Sequence, residues 1–135
     1  KSEEEIDRKF FINPLFNMLS TQFSELSYQQ RCEIVIDTMI GMIPPTRSNV
    51  ADSMNISVST LQRRLDEEGT SFQEILDETR QRLAKMYLTE QKLSTTDVAY
   101  LLGYQSHSQF FKVFKNWFGI TPKVYQSNLI NNVAD

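Results

Sequence analysis

One pattern occurs twice in this chain, and it limits the possible folds more than any other feature. Four short stretches recur at offsets of 48 to 50 residues: Val50-Ala51 as Val98-Ala99, Met54-Asn55-Ile56 as Leu102-Gly103-Tyr104, Leu61 and Leu65 as Phe110 and Phe114, and Gly69-Thr70-Ser71-Phe72 as Gly119-Ile120-Thr121-Pro122. Two copies are too few for a solenoid, which needs about three repeats or more. The repeat therefore predicts two small units of the same architecture.

The centre of the first copy has the pattern of a short amphipathic helix. Ser57 is a favourable N-cap residue, and Gly69 stands where a helix would end in a left-handed turn. Val58, Leu61 and Leu65 recur at spacings of three and four, so they form one apolar stripe and leave the intervening polar residues on the other side.

A second helix precedes this one after a tight turn. Thr46 follows two prolines and is a suitable N-cap for a helix that runs to about Met54. Asn55 comes next, and asparagine is the common substitute for glycine in a left-handed conformation. A helix, a tight turn and a capped second helix together predict a helix-turn-helix.

Five further helices complete an all-α prediction of about seven helices. They are an amphipathic helix from Tyr28 to Ile43, a long helix opened by a Ser71–Glu74 capping box and running to about Glu90, a helix opened by a Ser94–Asp97 capping box, the helix that holds Phe110 and Phe114, and a last helix from Thr121-Pro122 to about Ile130. The long helix would measure about 28 Å. The predicted fold is two helix-turn-helix, homeodomain-like subdomains joined by a long linker helix.

The composition excludes several classes of protein. With 135 residues, of which 40% are hydrophobic, the chain can form one compact domain with an appended segment. No run approaches the roughly 18 apolar residues of a membrane span. Cys32 is the only cysteine, so no internal disulfide forms, and Cys32 with His107 is too small a set for structural zinc. No phosphate-binding glycine loop and no nucleophile with a base is present, which predicts no enzyme and no cofactor.

The net charge of −3 argues at first against a nucleic-acid partner. The charge is unevenly distributed, however, because residues 1–43 hold four Lys or Arg against seven Asp or Glu, while residues 44–128 hold ten against nine. The second stretch therefore carries a net charge of +1. A nearly neutral domain can bind DNA when its charges segregate by face, although strong non-specific affinity is not expected.

Several motifs of both halves carry a resemblance to a known family. They are Thr60-Leu61-Gln62-Arg63-Arg64-Leu65, Glu67-Glu68-Gly69-Thr70-Ser71-Phe72 and residues 80–88, then Leu93-Ser94, Asp97-Val98-Ala99, Leu102-Gly103-Tyr104, Phe110, Phe114-Lys115, Phe118-Gly119 and Thr121-Pro122. This pattern resembles the AraC/XylS family of bacterial transcription regulators over residues 28–130. The resemblance implies a cytoplasmic, nucleoid-associated regulator, an activator, in which this all-α part binds double-stranded DNA.

The resemblance also implies a domain organisation. Residues 28–69 form the first subdomain, 70–90 the linker helix, 91–130 the second subdomain and 131–135 a tail. Residues 1–27 are then an interdomain segment from an absent N-terminal sensor and dimerisation domain, which the Gln62-Arg63-Arg64-Leu65 version suggests is arabinose-binding-like. The implied partners are DNA, RNA polymerase, and, through the absent domain, a second copy and a small-molecule effector, with no membrane.

Two sets of residues are expected to contact DNA. Family positions that read bases correspond to Ser59, Thr60, Gln62 and Arg63 in the first unit and to His107, Ser108, Gln109 and Lys112 in the second. Gln and Arg have the donor and acceptor geometry for base edges, whereas Lys112 lacks the planar fork of arginine. The candidate phosphate contacts are Thr46, Ser94 and Thr121, as caps of helix N-termini, together with Arg64, Lys115 and Lys123.

Some alternatives stay open at the level of the sequence. Either Gln62 or Arg63 could lie on phosphate, and Arg64 could instead form an internal ion pair. Glu67 and Glu68 are either solvated or paired with Arg80 or Arg82. The rival function is a protein-interaction module that contacts RNA polymerase or a regulatory partner and binds DNA weakly, for which the acidic N-terminal segment and the near-neutral charge are the reasons.

Overall fold

A computed structural model describes residues 23–90 and 93–134 of the chain. The predicted interdomain segment 1–27 therefore lies outside the described residues, except for residues 23–27. Seven helices lie wholly within the described ranges: α1 Tyr28–Met39, α2 Arg47–Ser53, α3 Val58–Glu67, α4 Phe72–Thr89, α5 Thr95–Leu101, α6 His107–Phe118 and α7 Pro122–Ala134. These ranges contain no strand. The all-α prediction of about seven helices is confirmed.

The chain forms two compact units, and the division falls inside α4, between Leu76 and Asp77. In the first unit α1 packs against both α2 and α3, and α2 packs against α3. The predicted periodicity supplies the core of this unit. Its fully or almost fully buried side chains are Cys32, Val35, Ile36, Met39, Val50, Ala51, Leu61, Leu65, Phe72 and Ile75.

The first helix ends earlier than its hydrophobic pattern suggested. The prediction carried it to Ile43, but α1 ends at Met39, and Gly41 adopts a φ of 88°. The amide of Ile43 still donates to the carbonyl of Met39 across this turn, at 2.9 Å. A left-handed glycine stop therefore ends the helix before the two prolines are reached. The apolar spacing misled the prediction because Ile40 stays buried outside the helix.

The predicted turn and caps of the first helix-turn-helix are confirmed. Thr46 and Ser57 accept hydrogen bonds from the amides of Asn49 and Thr60, both at 3.1 Å. Asn55 adopts a φ of 59° and is the one non-glycine residue with positive φ in the described part of the chain. The same device recurs in the second unit, where Gly103 has a φ of 86°.

The second unit is built around aromatic side chains. Phe110 and Phe114 of α6 are completely buried, and the Phe114 ring lies 4.7 to 6.5 Å, between ring centroids, from those of Phe110, Trp117, Phe118 and Tyr125. Within this unit α5 packs against α6, and α6 packs against α7. Aromatic residues at helical spacing thus form the core here, as their periodicity indicates.

The long helix and the last helix differ in detail from their predictions. Ser71 caps α4 by accepting the Glu74 amide at 3.2 Å, but the Glu74 carboxylate takes the Thr70 hydroxyl at 3.1 Å. Thr121 caps α7, with Pro122 at the first helical position, and this helix runs to Ala134 rather than to Ile130.

Candidate nucleic-acid interface

Helix α3 presents a polar face that its own packing holds in place. Leu61 and Leu65 are 0% exposed, so one side of the helix is fixed in the core of the first unit. On the other side Ser59, Gln62 and Arg63 are exposed. No hydrogen bond or ion pair within the described residues engages any of these three side chains. The helix is therefore fixed by its buried side, while the guanidinium donors of Arg63 and the adjacent side-chain amide of Gln62 are available for hydrogen bonds to a partner.

Thr60 is placed differently from these three residues. It is half-buried, its amide donates to Oγ of Ser57, and its hydroxyl accepts from the Ser57 hydroxyl at 2.9 Å. Thr60 is therefore part of the N-terminal cap of α3, at the edge of the polar face rather than in its centre.

Arg64 turns away from the polar face. Its Nη1 lies 3.6 Å from Oε2 of Glu67, and its guanidinium lies 5.3 Å from the ring centroid of Tyr28 in α1. The Nε atom is buried and has no hydrogen-bond partner in the described part of the chain. The internal ion pair, one of the two interpretations of Arg64, is thus the interaction that the structure contains.

Glu68, which the sequence left as either solvated or paired with Arg80 or Arg82, has two backbone partners that neither alternative named. The Glu68 carboxylate accepts the backbone amides of Tyr28 and Gln29, both at 2.8 Å, at the N-terminus of α1. Arg80 belongs to the second unit, where its Nε donates to the carbonyl of Leu102 at 3.0 Å. The first amides of a helix have no intrahelical acceptor and the helix dipole favours negative charge there, so the N-terminus of α1 is a suitable partner for this carboxylate.

In the second unit, Ser108, Gln109 and Lys112 are exposed on α6. The N-cap of this helix is Ser106, which is not among the predicted caps, and its Oγ accepts the amide of Gln109 at 3.1 Å. The spacing of Ser106 and Gln109 matches a capping box, so the signal was available in the sequence.

His107 is engaged by its own unit. Its Nε2 lies 3.2 Å from Oγ1 of Thr95 at the start of α5, and its ring lies 4.0 Å from that of Phe111, between centroids. The first turn of α6 is therefore tied to α5 through a side chain that the resemblance assigns to base reading.

A buried tyrosine supports the turn in front of α6. Tyr104 is 6% exposed, and the Arg80 guanidinium lies 4.5 Å from its ring centroid. Burial raises the pKa of Tyr104 to about 12, and the positive charge of Arg80 opposes that shift. The same arginine also donates a hydrogen bond to the Leu102 carbonyl. Arg80 therefore stabilises the turn between α5 and α6 through both Leu102 and Tyr104.

The remaining predicted contacts are at helix ends and on the surface. Thr46, Ser94 and Thr121 are confirmed as N-caps, each accepting the amide three residues later at 3.1 to 3.2 Å. Lys115 and Lys123 are exposed. Contact of any of these residues with phosphate stays a prediction. The described residues contain no group of three His, Cys, Asp or Glu side chains that could hold a metal, and no helix long and apolar enough to cross a membrane.

Comparison with known proteins agrees with this geometry. A family model described as a helix-turn-helix domain matches residues 50–128, which is more than half of the chain. The solved structure of a DNA-binding transcriptional dual regulator from Escherichia coli K-12 is 32% identical, covers 79% of this chain, is itself covered to 96%, and superposes with a TM-score of 0.72. The chain belongs to the AraC/XylS family of transcription regulators.

Two relatives of this AraC/XylS-type chain are longer proteins. The ornithine utilization regulator of Pseudomonas aeruginosa is 37% identical over 82 residues, which are 61% of this chain and 24% of that protein. The transcriptional activator CsvR of Escherichia coli is 28% identical over 130 residues, which are 88% of this chain and 49% of that protein. The chain therefore spans about a quarter of the first relative and about half of the second.

Proposed function

We propose that this chain is the DNA-binding part of a sequence-specific transcription regulator that reads its site with α3 and α6. The observation that carries the proposal is the exposed and unengaged polar face of α3, formed by Ser59, Gln62 and Arg63. A helix-turn-helix places its second helix in the major groove, with residues of its N-terminal part at base edges. Gln62 and Arg63, whose side chains are well suited to hydrogen bonds with base edges, lie on this helix.

We propose that α3 and α6 contact the bases in different ways. Arg63 can donate two hydrogen bonds to guanine, and Gln62 can exchange two with adenine. On α6, Gln109 offers the same amide as Gln62, whereas Ser108 is shorter and Lys112 is less directional than arginine. We propose only a secondary role for His107, because Thr95 and Phe111 already engage its ring.

The two reading faces differ in sequence, so the proposed site is asymmetric rather than palindromic. We propose that α3 and α6 occupy successive major-groove segments, about 34 Å apart along the duplex. Fitting both on one face of the DNA would cost about 1–6 kcal/mol if it requires bending. Footprinting of the complex tests this point. Two protected segments one helical turn apart are expected, and protection of a single segment would overturn it.

The function itself is tested by selecting bound sequences from random duplex DNA at a stated salt concentration, with the full 135-residue chain. Enrichment of one asymmetric motif is expected. The matched controls are the Gln62→Ala and Arg63→Ala variants, each of which should lose the preference at one base position while the rest of the motif persists. Enrichment of no motif, with no salt-dependent shift of any duplex, would refute the proposal.

The wider role is also a proposal, since this chain spans only part of the ornithine utilization regulator and of CsvR. We propose that the regulator works in the bacterial cytoplasm at the nucleoid, where its site is, and that it activates transcription by contact with RNA polymerase. Dimerisation and effector binding would reside in an N-terminal domain. The rival protein-interaction role is favoured by the near-neutral charge of residues 44–128. Failure of DNA selection together with retained binding to RNA polymerase would favour that role.

A further inference from the structure

We infer that the segment before α1, residues 23–27, is coupled to the recognition helix α3, so that whatever repositions this segment changes how α3 reads DNA. The effect on reading rests on the proposed function, whereas the coupling itself does not. The inference comes from one cluster of contacts in the first unit, which joins the start of α1 to the C-terminal end of α3. We call it the α1–α3 clasp, and it consists of Tyr28, Arg31, Arg64 and Glu68.

Glu68 provides the first connection of the clasp. It is the C-cap residue of α3, and its two carboxylate oxygens accept the amides of Tyr28 and Gln29 at 2.8 Å each. Ser27 accepts the next amide, that of Gln30, at 3.1 Å. The end of the recognition helix thus accepts two of the first three amides of α1. A carboxylate at a helix N-terminus gains both charge-assisted hydrogen bonds and the favourable helix dipole.

Tyr28 provides the second connection. Its ring centroid lies 4.5 Å from the guanidinium carbon of Arg31 in α1 and 5.3 Å from that of Arg64 in α3. Arg64 directly follows the proposed base reader Arg63 along the helix. Nε of Arg64 is buried without a hydrogen-bond partner in the described residues, so the Tyr28 ring and the Glu67 carboxylate, 3.6 Å from Nη1, are the contacts that position this side chain.

Arg31 extends the clasp to the preceding segment. Its Nη2 donates to the carbonyl of Ser24 at 2.6 Å, its Nε donates to that of Leu26 at 3.0 Å, and its guanidinium lies 5.6 Å from the ring centroid of Phe23. A single side chain therefore contacts the segment on one side and Tyr28 on the other. A displacement of residues 23–27 would withdraw Arg31 from Tyr28 and alter the surroundings of Arg64.

The location of these contacts suits a regulatory role. The hydrogen bonds of Glu68 are exposed to solvent, whereas the contact of α1 with α3 also rests on completely buried side chains such as Val35, Ile36 and Leu61. The clasp can therefore open without exposing the core of the unit. Local opening of this kind belongs to the low-stability end of a fold and can be biased by small forces.

Hydrogen exchange of the free chain tests the coupling without DNA. The change Arg31→Ala removes the side chain that joins the segment to Tyr28, and Glu68→Gln weakens the cap of α1. Each variant is expected to speed exchange in the last turn of α3 by about three- to tenfold while the α2 amides keep their protection. The control Asp66→Asn removes a charge from an exposed site on α3 outside the clasp and should leave exchange unchanged.

Two results would overturn the coupling. One is faster exchange in Arg31→Ala that is confined to residues 23–31, and the other is a uniform increase across α1, α2 and α3, which would mark a general loss of stability. Because these measurements need no DNA, they decide on the coupling even if the chain selects no DNA sequence. Failure to select any DNA sequence would refute the proposed function and leave the coupling untouched.

DNA binding then tests the effect on reading. Arg31→Ala is expected to weaken binding to the selected site by about three- to tenfold, with an unchanged dependence on salt. The double variant with Glu68→Gln should lose little more than the stronger single variant, since both act through the clasp. Additive losses, or a salt slope lowered by about one, would overturn the inference, the latter because it marks direct phosphate contact by Arg31.

Discussion

The two helix-turn-helix units follow one backbone plan but hold their recognition helices by different chemistry. Helix α3 rests on two aliphatic side chains, Leu61 and Leu65, and its C-terminal end is tied to α1 by exposed polar contacts of Glu68. Helix α6 is held by Phe110 and Phe114 within a group of packed aromatic rings. Aromatic side chains bury more area than leucine does, so each makes a larger contribution to holding its helix.

The polar side chains of the two recognition helices also differ in whether their own unit engages them. The side chains of Ser59, Gln62 and Arg63 on α3 have no internal partner in the described residues, while His107 at the start of α6 contacts Thr95 and Phe111. The better-equipped reading face thus belongs to the helix with the lighter hydrophobic anchor. The comparison teaches that the backbone plan places a recognition helix, while side-chain packing decides which of its residues stay available.

Removal of the central aromatic residue should produce the largest difference between the units. Phe114→Ala is expected to cost about 3–5 kcal/mol of unfolding free energy, and Leu61→Ala about 2–5 kcal/mol, because each leaves a cavity in a closed core. Chemical denaturation with amide exchange resolved for each unit measures both. Phe114→Ala should expose α5–α7 while α1–α3 stay protected. Equal loss of protection in both units would show that they unfold as one.

Arginine and lysine at the reading faces should differ in what they contribute. Arg63→Ala is expected to cost about 1–3 kcal/mol at the selected site and to relax the preference at one base position. Lys112 lacks the planar fork of arginine and can contact guanine or phosphate, so Lys112→Ala should discriminate less between sequences than Arg63→Ala and lower the salt slope by about one. Quantitative binding at several salt concentrations distinguishes the two patterns. A uniform loss on every sequence for Arg63→Ala would place Arg63 on phosphate instead.

The left-handed turn residues allow a matched exchange. Gly103 has a φ of 86°, so Gly103→Ala is expected to cost about 1–2 kcal/mol of stability in the second unit. Asn55, with a φ of 59°, already tolerates this conformation, and Asn55→Gly should change the stability of the first unit by only a few tenths of a kcal/mol. Thermal unfolding of both variants measures the two changes in stability. A large loss for Asn55→Gly would mean that the asparagine side chain has a role beyond the turn.

Each unit also contains a buried, weakly acidic side chain that should lower its stability at high pH. In the first unit it is the thiol of Cys32, and in the second the phenol of Tyr104. Burial raises the pKa of Cys32 in the first unit from 9.0 to about 12 and that of Tyr104 in the second from 10.0 to about 12. Above pH 9 to 10 the unfolded chain loses protons that the folded chain keeps, so stability falls as the pH rises. At pH 10 the loss is about 1 kcal/mol from Cys32 and a few tenths from Tyr104.

The variants Cys32→Ala and Tyr104→Phe separate these two contributions. Each should reduce the change in unfolding free energy between pH 7 and pH 10, the former more than the latter, whatever its effect at pH 7. Denaturation curves at the two pH values measure the difference. An unchanged pH dependence in Cys32→Ala would contradict the assigned burial of this thiol.

Much of the fold was predictable from local chemistry. The caps Thr46, Ser57, Ser94 and Thr121 and the left-handed positions 55 and 69 follow from residue type and spacing alone, because the interactions they make lie within four residues along the chain. The end of α1 was mispredicted because a buried isoleucine continues the apolar pattern past the helix. Ser106 was overlooked although its spacing to Gln109 is a recognisable cap.

By itself, the sequence determined that two helix-turn-helix units exist, which helices carry the proposed reading residues and which side chains form the cores. These are matters of periodicity and local hydrogen bonding. The tertiary structure alone decided the roles of Glu68, Arg64 and His107, because their partners Tyr28, Gln29 and Thr95 lie 12 to 40 positions away along the chain. A charged side chain at a helix end has many possible partners in sequence, and only the packing of the helices selects one of them.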